Sequence, residues 1–207
     1  MDRLYVIKLL ETFKDIMREH KDYLIELDSV VGDGDLGLTM SDGFTAAYQA
    51  VAGSDETDIG KMLYNAGKAM STAVPSSMGT LMASGFMQAG KALKGKTELA
   101  PMDLYSMFEA YFEGVANRGK AKVGEKTFLD GLHPALVALK ASLEAGENLQ
   151  DAAAKAAVAA EQGFENTTTM VAVHGRAATR GEASRTLKDP GAAVAMLMMK
   201  AFRKSVV

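Results

Sequence analysis

Proline, the residue that most often ends a helix, stands at only four of 207 positions: Pro75, Pro101, Pro134 and Pro190. The stretches between them carry apolar residues at helical intervals. Leu4, Ile7, Leu10, Phe13, Met17 and Leu24 fall on one helical face and predict an amphipathic helix over about 3–27. Further helices are predicted at about 38–52, 59–72, 78–94, 102–118, 126–144 and 148–164. Thr167 to Val173 reads as an extension or a short eighth helix. Asp189-Pro190 opens the last one, because Asp caps well and Pro is tolerated at the first helical position. Hairpin signals are missing: the pairs Asp33-Gly34, Asp42-Gly43 and Asp130-Gly131 do not lie between alternating apolar runs. The expectation is a single all-α domain over 1–207.

Composition narrows the chemistry. The 48% apolar and 24% charged residues suit a folded globular chain. With no cysteine, disulfides, thiol nucleophiles and cysteine-held zinc or iron–sulfur sites are excluded, and a cytoplasmic location is expected. Three histidines leave little room for a histidine-rich metal site. A net charge of −3 gives no footprint for nucleic acid. No apolar run approaches the roughly 20 residues of a membrane span, and Met1-Asp2-Arg3-Leu4 lacks the layout of a signal peptide. The 14 methionines read as core filler.

Four segments could carry chemistry. Asp28, Asp33 and Asp35 stand within eight residues, in a turn containing Gly32, Gly34 and Gly37. Carboxylates this close repel one another unless a cation neutralises them, and Mg²⁺ takes oxygen ligands of this kind. The other reading is a solvated, Asp-rich turn beside a helix cap. The distal Glu of an EF-hand loop is absent. The hydroxyl-rich run from Ser71 to Thr80 leads into a helix and reads either as an anion site at a helix start or as an ordinary Ser cap; it has no Gly-Lys-Ser/Thr element. The run from Asn117 to Thr127 reads by itself as a basic, solvated connection. The loop from Gly175 to Pro190 is long for a helical bundle and carries Arg176, Arg180 and Arg185. His133 and His174 are expected to be structural.

The order of these segments resembles the ADP-binding L-subunit family of phosphoenolpyruvate-dependent dihydroxyacetone kinases, homologous to the nucleotide domain of the ATP-dependent kinases. The resemblance covers nearly the whole chain. It rests on the Asp-x4-Gly-Asp-Gly-Asp-x-Gly run at 28–37, the loop at 74–80, and Arg118-Gly119-Lys120-Ala121. It continues through Gly124-Glu125-Lys126-Thr127 with Asp130, Gly175-Arg176-Ala177 and Asp189-Pro190-Gly191-Ala192. It implies an eight-helix antiparallel barrel with ADP or ATP and two Mg²⁺ ions at one open end. It implies Asp28, Asp33 and Asp35 as metal ligands, acting in catalysis together with Arg176. Leu36, Gly37, Leu38, Thr39, Ser77, Met78, Gly119, Phe128, Arg176, Asp189, Pro190 and Gly191 would surround the nucleotide. It implies transfer of the γ-phosphoryl to dihydroxyacetone or a related short-chain hydroxyketone on a K-type partner subunit, with ADP recharged by a phosphohistidine-bearing phosphocarrier. A homodimer is compatible with it. An ATP-dependent version with exchangeable nucleotide and a non-catalytic, nucleotide-sensing coactivator of a transcription regulator are the alternatives. The chain departs from the family pattern at Leu36, where His is usual, at the loop Pro75 to Leu81, and at Ala178, where Ser is usual. The resemblance further implies that the 175–190 loop covers the nucleotide as a flexible lid, with Gly191 giving the backbone close access to it.

Overall fold

Each long periodic stretch becomes a helix, most of them with a polar side chain closing the first turn. The computed structural model describes residues 1–207. It runs α1 (Arg3–Glu19), α2 (Lys21–Val31), α3 (Leu36–Ala52), α4 (Ile59–Ala73), α5 (Ser77–Ala92), α6 (Pro101–Gly119), α7 (Phe128–Glu144), α8 (Leu149–Asn166) and α9 (Pro190–Ser205). A single 3-10 turn forms at Thr167–Thr169 and several across Arg176–Ser184, and there is no strand. Asp2, Asp58, Ser76, Thr127, Asn148 and Asp189 each accept from an N–H in the first turn of the helix they precede. Those N–H groups have no partner inside the helix, so the caps fix where the helices begin.

The predicted first helix is not continuous. It breaks at His20, which leaves helical geometry at φ −101°, ψ 17°, with its Nδ1 3.1 Å from the Ile16 carbonyl. A side chain that engages the carbonyl one turn back competes with the backbone ladder. α2 then continues to Val31, so Asp28 sits in its last turn rather than beyond the helix. α3 begins at Leu36, two residues before the predicted start.

Counting α1 and α2 as one broken helix gives eight. Neighbours in sequence pack together from α3 to α9, α1 packs on α3, and α9 returns to α1, so the ring closes. The interior is filled by an edge-to-face series of rings. Phe13 meets Phe44 at 5.9 Å and Phe108 at 6.5 Å, Phe44 meets Phe86 at 5.9 Å, Phe86 meets Tyr111 at 5.1 Å, and Phe108 meets Phe202 at 4.9 Å. Met17, Met40, Met62, Met70, Met82 and Met198 fill the gaps between them, as expected of flexible apolar side chains. From Ala192 to Met199 every residue of α9 is buried, the pattern of a helix enclosed on all sides. α4 and α5 touch backbone to backbone: a Cβ on Gly60 would lie 2.5 Å from the Gly90 carbonyl oxygen, and one on Gly90 2.6 Å from that of Gly60.

Candidate functional site

The starts of α3, α5, α7 and α9 and the ends of α2 and α6 border one cleft of about 810 Å³. Successive helices therefore alternate in direction around the ring. Four N-termini facing one space bring unpaired N–H groups and the positive ends of four helix dipoles to it, which favours anions.

One wall is acidic. Carboxylate oxygens of Asp28, Asp33 and Asp35, one from each, lie within 4.8 Å of one another. The turn that gathers them depends on two glycines. Gly34 has φ +74°, and a Cβ on Gly32 would collide with Asp28 Oδ1 at 2.3 Å. Burial raises the Asp28 carboxyl above its ordinary pKa, the charges of Asp33 and Asp35 push the same way, and the N–H groups of Leu36 and Gly34 oppose them. Arg176 Nη2 stands 2.5 Å from Asp33 Oδ2 and supplies positive charge to the cluster. This cluster, drawn together, short of counter-charge and open to the cleft, fits a hard cation.

The opposite wall is polar and self-contained. Thr127 caps α7, while Asp130 accepts from the N–H of Thr127 at 2.7 Å and of Gly124 at 2.5 Å. Sequence reading missed what lies between them. The 117–127 run is not simply a solvated connection: Lys126 is 2% exposed, and its Nζ donates to the carbonyls of Thr167, Met170, Arg185 and Leu187. Its backbone has φ +62°. Next to it, Glu125 Oε2 lies 2.6 Å from His174 Nε2, which holds the Glu125 carboxyl below its ordinary pKa. The Gly-Glu-Lys-Thr motif with Asp130 was the signal for this wall in the sequence.

Of the expected site residues, Asp28, Asp33, Asp35, Leu36, Ser77, Met78, Gly119, Phe128, Arg176, Asp189, Pro190 and Gly191 line the cleft. Gly37, Leu38 and Thr39 do not, because the first turn of α3 carries them away from it. Gly37 lies against α2, where a Cβ would meet the Lys21 carbonyl oxygen at 2.1 Å; Leu38 is 50% exposed on the outside; Thr39 is buried inside α3. Ser76, not Ser77, caps α5, accepting from Gly79 N at 3.0 Å. Gly191 provides a close approach, but to protein: a Cβ there would sit 3.0 Å from Phe128 N, where the starts of α7 and α9 meet. Met78, Leu81, Val115, Phe128 and Leu129 give the cleft an apolar floor.

The segment after α8 is tied to its neighbours at several points. Its 3-10 turns are interrupted at Gly181 (φ +53°). Arg180 Nη2 donates to the Val30 carbonyl at 2.6 Å, Ala172 N to Ser184 Oγ at 3.0 Å, and Ala172 and Ala177 pack with Val31. Asp189 ends the segment. Burial pushes its carboxyl up to about 7, against the lowering effects of the Ala192 N–H and of Lys126.

A model of the DAK2 domain matches residues 30–204. The chain is 34% identical over 200 residues to "PEP-dependent dihydroxyacetone kinase, ADP-binding subunit DhaL" of Escherichia coli K12, covering 97% of this chain and 95% of that protein. It is 31% identical over 206 residues to "PEP-dependent dihydroxyacetone kinase 1, ADP-binding subunit DhaL" of Listeria innocua, covering 100% and 98%. The fold superposes with a TM-score of 0.71 on the dihydroxyacetone kinase of C. freundii in complex with AMP-PNP and Mg²⁺, at 23% identity, over 97% of this chain and 33% of that one. With its helices, its acidic turn and its near full-length relatives in agreement, this chain belongs to the DAK2 domain family.

Proposed function

We propose that this chain is one nucleotide-binding domain working as a phosphotransferase subunit. It holds ADP or ATP with two Mg²⁺ ions and passes the γ-phosphoryl to dihydroxyacetone or a related short-chain hydroxyketone on a K-type partner. A phosphohistidine-bearing phosphocarrier recharges the ADP, and the cysteine-free chain works in the cytoplasm. The observation that carries this reading is the convergence of three carboxylates at the edge of a cleft onto which four helix N-termini open. The names of the E. coli and Listeria relatives support the choice of acceptor and donor.

Asp28, Asp33 and Asp35 would hold the metal, which when bound neutralises charge on the phosphates. The chain's own groups position and exclude. The start of α5 offers the backbone N–H groups of Ser77 and Met78 to phosphate oxygens, and the start of α9, whose N–H groups are taken up by Asp189, adds the positive end of its dipole. Arg176, 68% exposed, offers a forked donor set to the same oxygens. The floor of Met78, Leu81 and Phe128 covers the flat base and keeps water from it. No side chain has to act as nucleophile, because phosphoryl transfer between bound oxygens needs alignment and charge neutralisation.

The test is retention and recharging. Protein loaded with Mg-ADP and passed through a desalting column should keep the nucleotide, and a phosphorylated carrier should convert it to ATP on the protein. Free exchange of nucleotide with no recharging would replace the phosphocarrier reading with an ATP-dependent one. Failure to bind Mg-ADP at all would overturn both.

A further inference from the structure

We propose that Lys126 is a positioning residue for this site: a tethered ammonium that fills a cage of four backbone carbonyls and holds shut the stem of the 170–188 segment. The inference rests on reading the cleft as a nucleotide site, and it concerns a residue of the cleft wall whose ammonium is engaged by backbone carbonyls.

The geometry is that of an ion site more than of an ion pair. Nζ reaches the carbonyls of Thr167 at 2.5 Å, Met170 at 3.3 Å, Arg185 at 3.1 Å and Leu187 at 2.5 Å. An ammonium has three N–H donors, so four acceptors saturate it. Asp189 and Asp130 act on it through their charge, opposing the lowering of its pKa by burial, without forming an ion pair with it. The cage therefore depends on carbonyl dipoles, as a bound monovalent cation would.

The four carbonyls belong to two limbs. Thr167 and Met170 leave α8; Arg185 and Leu187 lead into α9. Between the limbs runs the segment carrying His174, Arg176 and Arg180. Lys126 sits where the limbs meet, next to the cap of α7 and in the wall of the cleft. Other links cross the stem, among them Arg185 Nη1 to the Thr169 carbonyl at 2.8 Å, Asp189 N to Thr167 Oγ1 at 3.1 Å and Ala172 N to Ser184 Oγ at 3.0 Å, but none of these gathers four backbone carbonyls of the two limbs at one point. A non-glycine residue at φ +62° is disfavoured, and here that backbone turns the side chain inward to the cage. One ammonium thereby sets both the reach of Arg176 towards the acidic turn and the place of the α9 N-terminus.

The experiment compares wild type with Lys126→Met, which keeps the apolar stem and removes the ammonium, and with Lys126→Ala in the presence and absence of propylammonium. Two measurements are made on each: trypsin cleavage after Arg180 and Arg185 without nucleotide, and retention of Mg-ADP. The expected result for Lys126→Met is cleavage at least tenfold faster, confined to the 170–188 segment, and at least tenfold weaker ADP retention, with the far-UV helical signal intact. Propylammonium should restore protection and retention to Lys126→Ala, while propanol at the same concentration should not. Should Lys126→Met fail to fold, Lys126→Ala purified in propylammonium and then dialysed gives the same comparison. Wild-type cleavage rates in the variant would overturn the stem role. Normal ADP retention with an opened segment would overturn the positioning role while leaving the nucleotide reading standing. Loss of Mg-ADP binding by wild type itself would remove the nucleotide reading, with the trypsin comparison still deciding whether Lys126 holds the stem.

Discussion

The two walls of the cleft solve the burial of charge in opposite ways. The turn at 28–35 gathers three carboxylates and leaves them short of positive charge, with only the solvent-exposed Arg176 in attendance. The turn at 122–130 buries a lysine and a carboxylate, and the chain itself supplies hydrogen bonds to both: four carbonyls to Lys126, two N–H groups to Asp130. Unneutralised like charges destabilise a site until a ligand arrives, whereas a satisfied buried network is part of the fold. The acidic wall should therefore tolerate loss of a charge in the empty protein and fail in binding. The opposite wall should show the reverse.

The largest effect is expected on the acidic wall. Asp33→Asn or Asp35→Asn should weaken Mg-ADP retention by more than about 100-fold, since removing a direct ligand should exceed the effect of removing a supporting group. Thermal stability without metal should hold or rise slightly, because one term of repulsion is gone. Equilibrium dialysis with Mg-ADP and a melting curve without it are the measurements; unchanged binding would break the comparison.

Next comes Asp130→Ala on the other wall. It strips two buried N–H groups of their acceptor and should cost about 3 kcal/mol of stability by urea unfolding, with or without metal. A loss seen only in the presence of ligand would place Asp130 with the acidic turn instead.

Arg176→Ala should have a smaller effect, about tenfold on ADP retention, because a guanidinium–phosphate contact contributes on the order of 1.4 kcal/mol per factor of ten. The melting temperature of the empty protein should barely move, as ion pairs this exposed contribute about 0–1 kcal/mol.

The smallest effect is a pH dependence at the seam of the two walls. The folded-state pKa of Asp189 is about 7, above its ordinary value of 3.8, so the folded chain holds this proton more tightly than the unfolded one. Its contribution is complete below about 4 and declines as pH rises to about 7. Asp28 is raised as well and adds to the same slope. Asp189→Asn keeps a cap on α9 and removes its own share, so the variant's melting temperature should fall less between pH 5 and pH 8 than that of wild type.

What could be read from the sequence was local. Asp58 and Asp189 announce helix starts, and Asp28, Asp33 and Asp35 announce a site, because partners within a few residues determine their roles. His20 escaped because the apolar spacing continues across it to Leu24, and a side chain turned back on its own helix leaves no trace in that spacing. Lys126 escaped because its acceptors lie 41 to 61 residues further along. Gly37, Leu38 and Thr39 entered the expected nucleotide shell through the family resemblance; a helix turns about 100° per residue, and the first turn of α3 places them outside the lining of the cleft.

The ring series in the core ends at the cleft. Tyr111, fully enclosed and bonded through its hydroxyl to Met82 Sδ, lies 6.1 Å from Phe128 on the apolar floor. The chain has no tryptophan, so its six tyrosines supply its optical activity between about 270 and 290 nm, and Tyr111, locked in a chiral surrounding, contributes to it. A base settling on Phe128 would disturb that signal without any label. Tyr111→Phe would remove its share of the signal, making this buried phenol a built-in spectroscopic gauge of occupancy.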